Sequence, residues 1–209
     1  MKNYFLFILF LSFYSCKELP KTINTSLLKT ELDSIMVLDQ KYRSEINTVY
    51  EKHGENSSEF RHILNLQNEI DSTNLLRIIE IIESIDQYPG VSLVGYGASK
   101  AAFFVLQHAP DSIQTQYYDL IVDAAKKNEL DRGLAAMYQD RYLMYQEKPQ
   151  IYGTQIRIKH KTDALTGITT DSAYLWPIQD TTKIDSVRMW NGLGPLEDYL
   201  NSFGLSRYN

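Results

Sequence analysis

From residue 26 to about residue 146 apolar side chains recur every three or four positions, the period of helices that bury one face, and beyond Pro149 the period shortens to two. Leu28, Leu32, Ile35, Tyr42, Ile46 and Val49 share the inner face of a predicted helix over residues 26–53, with Thr25 or Ser26 as its cap and Gly54 as its stop. A second helix is expected over residues 58–70. A third, over 74–86, is capped by Ser72 or Thr73 and carries Leu75, Ile78, Ile79, Ile82 and Ile85 as a wide core stripe, ended by Tyr88-Pro89-Gly90. Gly95 and Gly97 lead into a helix over 98–108 that Pro110 terminates, because the ring disfavours helical geometry in the residue before it. Asp111 followed by Gln114 has the capping-box spacing for a helix reaching residue 127, and a further helix covers 131–146.

After Pro149, Tyr152, Thr154, Ile156 and Ile158 alternate with Arg157 and Lys159 as in a strand, and residues 173–176 supply its partner across a loop over 162–172. Two short helices, 183–191 and 195–202, are separated by Gly192 and Gly194. The expected fold is mainly α (α+β): a single helical domain of about six to eight helices with a small C-terminal β-hairpin.

The first sixteen residues have a different pattern. Lys2 precedes an uncharged apolar run over residues 4–13, a small residue follows at Ser15, and then comes Cys16, the only cysteine of the chain. A cationic start and about ten apolar residues describe a signal peptide, too short to span a bilayer as an ordinary helix. A cysteine directly after the cut resembles the bacterial lipobox, whose thiol is alkylated by diacylglycerol; the alternative is a secreted protein with an incidental cysteine, or an uncleaved anchor. The expected organisation is therefore a signal peptide over 1–15, a lipidated Cys16 with a tether over 16–25, and a globular domain over 26–209. That places the protein in the bacterial envelope, on the periplasmic or cell-surface side, with the membrane as partner through its anchor.

Composition narrows the functional classes. The chain of 209 residues is 44% hydrophobic with a formal charge of −5, so it is globular and has no basic cluster with which to gather phosphates, which argues against nucleic acid as a partner. With Cys16 lipidated no thiol remains for a disulfide, a zinc–thiolate site or a nucleophile. The four histidines, at 53, 62, 108 and 160, are not spaced as a metal set, and no phosphate loop, nucleophile elbow or His-Glu-x-x-His pair occurs. No metal and no cofactor is expected.

Candidate chemistry comes from polar residues at apolar positions. Asp39 lies seven residues after Leu32 and seven before Ile46, so its carboxylate points at the core and needs a partner; Arg43, one turn on, is the nearest, and Gln40 flanks it. His108 ends the stripe Ala101, Phe104, Val105, where a histidine serves as base, as ligand or as a core residue bonded to a carbonyl. Asp140, beside Arg141, sits at helical spacing between Ala136 and Met144; it either orients His108 or bonds Arg43. The densest polar run is residues 148–155. There Gln150, Tyr152, Thr154 and Gln155 surround Gly153 and form either a hydrogen-bonding ledge for a small polar ligand or an edge strand tying helix ends together.

Asp39-Gln40-x-x-Arg43, Val94-Gly95, Gln107-His108-Ala109, Asp140-Arg141, the motif Pro149-Gln150-x-Tyr152-Gly153-Thr154-Gln155, Trp176-Pro177-Ile178 and Gly192-Leu193-Gly194-Pro195-Leu196 together resemble a bacterial domain-of-unknown-function family, number 6624. The resemblance spans about residues 32–200 and implies one mixed helical domain in which these polar residues, Gln107 and Arg141 included, belong to the pattern. Two departures stand out. Gln87-Tyr88-Pro89 replaces a usual Gly-Trp-Pro, and Val187-Arg188 replaces paired arginines and leaves Arg188 as the surviving cation. The resemblance supplies no reaction. Two functions follow from the residues: a lipid-anchored binding or scaffold module with a polar cleft, or an envelope enzyme such as a hydrolase, in which His108 works with Asp39 or Asp140, Arg43 or Arg188 holds an anion, and Gln150, Tyr152 and Gln155 bind substrate.

Overall fold

The computed structural model describes residues 23–162, 165 and 169–207. The expected signal peptide, Cys16 and most of the expected tether lie outside the described residues, as does part of the hairpin loop. Asn24 opens the first helix, α1 (Thr25–Gln40), by accepting the backbone N–H of Leu27, and α1 buries Leu28, Leu32 and Ile35 together with Asp39. The predicted helix over 26–53 is broken at residues 41–42, and α2 (Arg43–His53) follows at a new angle with Gly54 as its cap. The break has a local cause. Gln67 from the next helix accepts the Tyr42 N–H at 3.2 Å and donates to the Asp39 carbonyl at 3.0 Å, so its amide replaces the helical bonds that residues 39–42 give up.

That next helix, α3 (Ser58–Ile85), is one continuous rod of 28 residues where two helices were expected. Ser72 and Thr73 do not cap. Their hydroxyls bond back to the carbonyls of Asn68 and Glu69 within the helix, and the apolar period runs through them. α4 (Val91–Ala98) follows the Tyr88-Pro89-Gly90 turn and contains a kink at Gly95, whose φ of 80° suits glycine. α5 (Lys100–Gln107) is buried nearly all round. The expected capping box at Asp111 does not form. Pro110 is the cap residue of α6 (Asp111–Gln116), and Gln114 turns inward to donate to the carbonyls of Gln107 and Ala109 at the end of α5. α7 (Tyr118–Lys126) and α8 (Arg132–Tyr145) complete the helical layer, the latter capped by Asp131, the residue at which the helix over 131–146 was expected to begin. α1 packs on α3, α4 and α5, while α8 packs on α5, α6 and α7. The main core lies between these two groups, around Leu32, Ile78, Phe103, Leu106, Ile121 and Tyr138.

The C-terminal part is a satellite. β1 (Ile156–Thr162) and β2 (Thr169–Leu175) pair antiparallel with Ile156 opposite Leu175; β1 leaves out Tyr152 and Thr154, which the alternation includes, and β2 begins at Thr169 instead of residue 173. α9 (Ile184–Trp190) and α10 (Leu196–Asn201) follow, and Ile184, Leu196 and Leu200 form a second small core with Ile156, Leu175 and Ile178. The molecule is a mainly α single domain with a C-terminal hairpin. Among the described residues no helix is long and apolar enough to cross a membrane.

Candidate functional site

The break between α1 and α2 sets four titratable side chains against one another. Asp39, fully buried, receives Arg43 on both carboxylate oxygens, at 3.3 Å from Nε and 3.2 Å from a terminal nitrogen, and Gln40 on one, at 2.6 Å. The same terminal nitrogen of Arg43 reaches Asp71 on α3 at 2.6 Å, and Gln67 supports Asp71 from 2.7 Å. His108, the cap residue at the end of α5, turns Nδ1 toward Asp39 at 3.4 Å. Burial pushes the Asp39 carboxyl up, but the hydrogen bonds and charges of His108 and Arg43 outweigh it and hold the group below its ordinary value. Two carboxylates thus share one guanidinium, with His108 as the other basic group beside Asp39.

Two members of this cluster, Asp71 and His108, line an open pocket of about 430 Å³ between α3 and the end of α5. His108, Asp71, Asn68 and Ser72 give it polar atoms, and Leu75 and Val105 give it an apolar floor. With Nδ1 engaged by an ionised carboxylate, Nε2 is the nitrogen of His108 left for a ligand, as lone-pair acceptor in the neutral ring and as donor in the charged one.

Asp140 does not join His108 or Arg43. Its two oxygens accept the backbone N–H groups of Ile151 at 2.7 Å, Tyr152 at 3.0 Å and Thr154 at 3.0 Å and the Thr154 hydroxyl at 2.9 Å. Burial raises its carboxyl above the usual value against the pull of these donors. Asp140 therefore fastens the segment over 149–155 to α8 and leaves no lone pair for general-base work.

The polar run expected as a ligand ledge is turned inward and consumed. Gln150, fully buried, donates to the carbonyls of Gln155 and Trp176 and accepts the Gln155 N–H at 2.8 Å, a planar amide used as a ready-made strand pair. Gln155 donates to Met137 and to the Thr154 hydroxyl, and the Thr154 carbonyl accepts from Tyr199 at 2.6 Å. Gly153 has φ 67°, and an added Cβ would stand 3.0 Å from Ile178 and Leu196. Arg188 holds no anion: it is buried, donates to the carbonyls of Tyr152, Gly153 and Gly194, and lies over the Tyr199 ring, so desolvation lowers its pKa. Arg141 is half-buried and reaches the Gln107 carbonyl at 3.5 Å, which ties α8 to the end of α5. Tyr88, standing where tryptophan was expected, is buried and donates to the Ser99 carbonyl at 2.5 Å.

Two residues of the cluster were not anticipated. Gln67 and Asp71 lie on the inner side of α3 between Ile63 and Ile78, and the heptad argument that singled out Asp39 also marks Gln67 and Asn74, each a multiple of seven or four from a buried isoleucine. The supposed break at residues 70–74 hid that register. Among the described residues no group of three or more His, Cys, Asp or Glu side chains is arranged to hold a metal ion. A family model described as "Family of unknown function (DUF6624)" matches residues 27–206. No curated protein matches the chain, and no solved structure does.

Proposed function

We propose, from the premise that the chain belongs to the DUF6624 family, that it is a lipid-anchored envelope module that binds a small ligand in the pocket between α3 and α5. One observation carries this reading: His108 and Asp71, joined behind the surface by the buried Asp39 and by Arg43, both line an open pocket. The Asp71 carboxylate in the pocket lining favours a ligand that presents a hydrogen-bond donor or a positive charge, such as an amine, to Asp71 and His108, and an apolar body over Leu75 and Val105. The apolar run before Cys16 supports the anchor, and several acyl chains at about 0.8 kcal/mol per buried methylene hold firmly. Replacing Cys16 by Ser releases the protein from membranes on this reading; continued membrane fractionation refutes the anchor.

The ligand assignment is tested by following the His108 ring resonances during titration with 2-phenylethylamine. A saturable shift that Asp71→Asn abolishes is expected. No saturable shift, or one indifferent to Asp71, overturns it.

The contact between His108 Nδ1 and Asp39 favours a second reading, an envelope hydrolase in which Asp39 orients the ring and Nε2 takes a proton from water or a substrate hydroxyl. Turnover of an ester or amide that His108→Gln abolishes without loss of stability distinguishes it from binding alone.

A further inference from the structure

A second pocket, about 360 Å³, opens where α7, α8 and α9 meet, and it shares no lining residue with the first. Lys126 comes from the last turn of α7, Arg132 and Gln139 from one side of α8, and Tyr152 from the turn that Asp140 fastens. Trp190 and Asn191 come from the end of α9. No residue lining it is acidic.

Three features give this pocket a chemical preference. Arg132 is exposed and forms no ion pair among the described residues: it has one long hydrogen bond, 3.4 Å to Asn128, and its guanidinium lies 6.0 Å from the centre of the Trp190 ring. Lys126, in contrast, is neutralised by Asp123 at 2.9 Å. The Trp190 indole is 76% exposed, so a large flat apolar face stands beside the uncompensated cation. Gln139 and Tyr152 add polar atoms to the lining, and the Gln139 side-chain oxygen accepts the Tyr118 hydroxyl at 3.5 Å.

We propose that this pocket binds a small organic carboxylate with a flat apolar body. The carboxylate pairs with the Arg132 guanidinium, whose fork matches two oxygens at once, and the body stacks on Trp190. A single free cation matches a monoanion; a dianion would leave one charge without a partner. Gln139 and Asn191 then face whatever polar substituent the ring carries. The site is built across three helices and the turn over 149–155, so it exists only when the C-terminal satellite is docked on α8.

Saturation-transfer NMR on the full-length protein with benzoate, phenyl phosphate and the neutral isostere benzamide tests the proposal. Benzoate is expected to bind saturably and at least about tenfold tighter than benzamide, a factor equal to about 1.4 kcal/mol. Arg132→Gln and Trp190→Ala each weaken benzoate by about tenfold or more, and both side chains are exposed, so both variants keep the fold. Lys52→Gln, an exposed charge outside the pocket, leaves the affinity unchanged. Non-saturable benzoate signal, benzamide binding as tight as benzoate, or unchanged affinity in Arg132→Gln overturns the proposal. Phenyl phosphate binding tenfold tighter than benzoate overturns the assignment to a monoanion.

Discussion

Replacing Asp140 by Asn turns one oxygen of a buried carboxylate into an amino group and leaves the shape of the side chain almost unchanged, so the effect isolates hydrogen bonding and charge. The carboxylate receives three backbone N–H groups and one hydroxyl. An amide offers one oxygen. Its least costly orientation keeps that oxygen where Tyr152 and Thr154 donate and sets the new NH2 against the Ile151 N–H, which then loses its acceptor. An unpaired buried donor costs about 1–3 kcal/mol, and the remaining bonds lose the charge that made them roughly twice as strong as neutral ones. Relief from desolvating a carboxylate offsets part of this, and the net loss is about 2–4 kcal/mol, from one orphaned donor and the weakened remaining bonds. For a domain of this size that lowers the melting temperature by roughly 4–16 °C. Urea unfolding of the full-length protein followed by circular dichroism measures it. A loss below about 1 kcal/mol refutes the view that Asp140 holds the turn over 149–155, and with it the explanation of why Asp140 is buried at all.

Three further outcomes follow from the same geometry. His108→Ala removes a partly exposed ring held only by a 3.4 Å contact, while Arg43 and Gln40 remain on Asp39; its stability cost is about 1 kcal/mol or less, against the much larger loss for Asp140→Asn. Because the folded-state pKa of Asp39 lies below its unfolded value, its ionised form stabilises the fold above about pH 4, and this contribution is lost as pH falls through the lower folded value. The stability difference between the native protein and Asp39→Asn should accordingly shrink below about pH 4, and a difference constant from pH 7 to pH 3 contradicts the linkage. Gly153→Ala adds a left-handed strain of about 1–2 kcal/mol and a clash with Ile178 and Leu196 worth about 1–3 kcal/mol, whereas Gly192→Ala, with φ 74° and nothing within 4 Å, carries the strain alone. Thermal melts of the two variants check the ordering.

The elements that the sequence made legible are those whose ends are marked by local chemistry. Asp131 caps α8, Pro195 opens α10 and the alternation around Ile156 and Ile158 marks β1, because cap, proline and pleat act within a few residues. Misread boundaries lie where a distant side chain substitutes for the backbone. Gln67 breaks the helix over 26–53 from 25 residues away, and Gln114 abandons its own helix end to satisfy another. Neither effect has a signature in the window of residues it alters.

Among site residues the same division holds. Residue spacing alone placed Asp39 in the core with Arg43 as partner, since helical geometry fixes residues four apart on one face. It also identified His108 as facing inward. The pairing of His108 with Asp39 instead of Asp140, the entry of Asp71, and the conversion of Gln150, Thr154, Gln155 and Arg188 from ledge to scaffold depend on which helices meet. The sequence by itself determined helical class, the hairpin and the presence of inward polar groups, because period and local hydrogen bonding are properties of neighbouring residues. Only the tertiary structure decided which of those groups are spent on one another and which still face a pocket, because a buried polar atom takes the nearest partner in space, however far along the chain that partner lies.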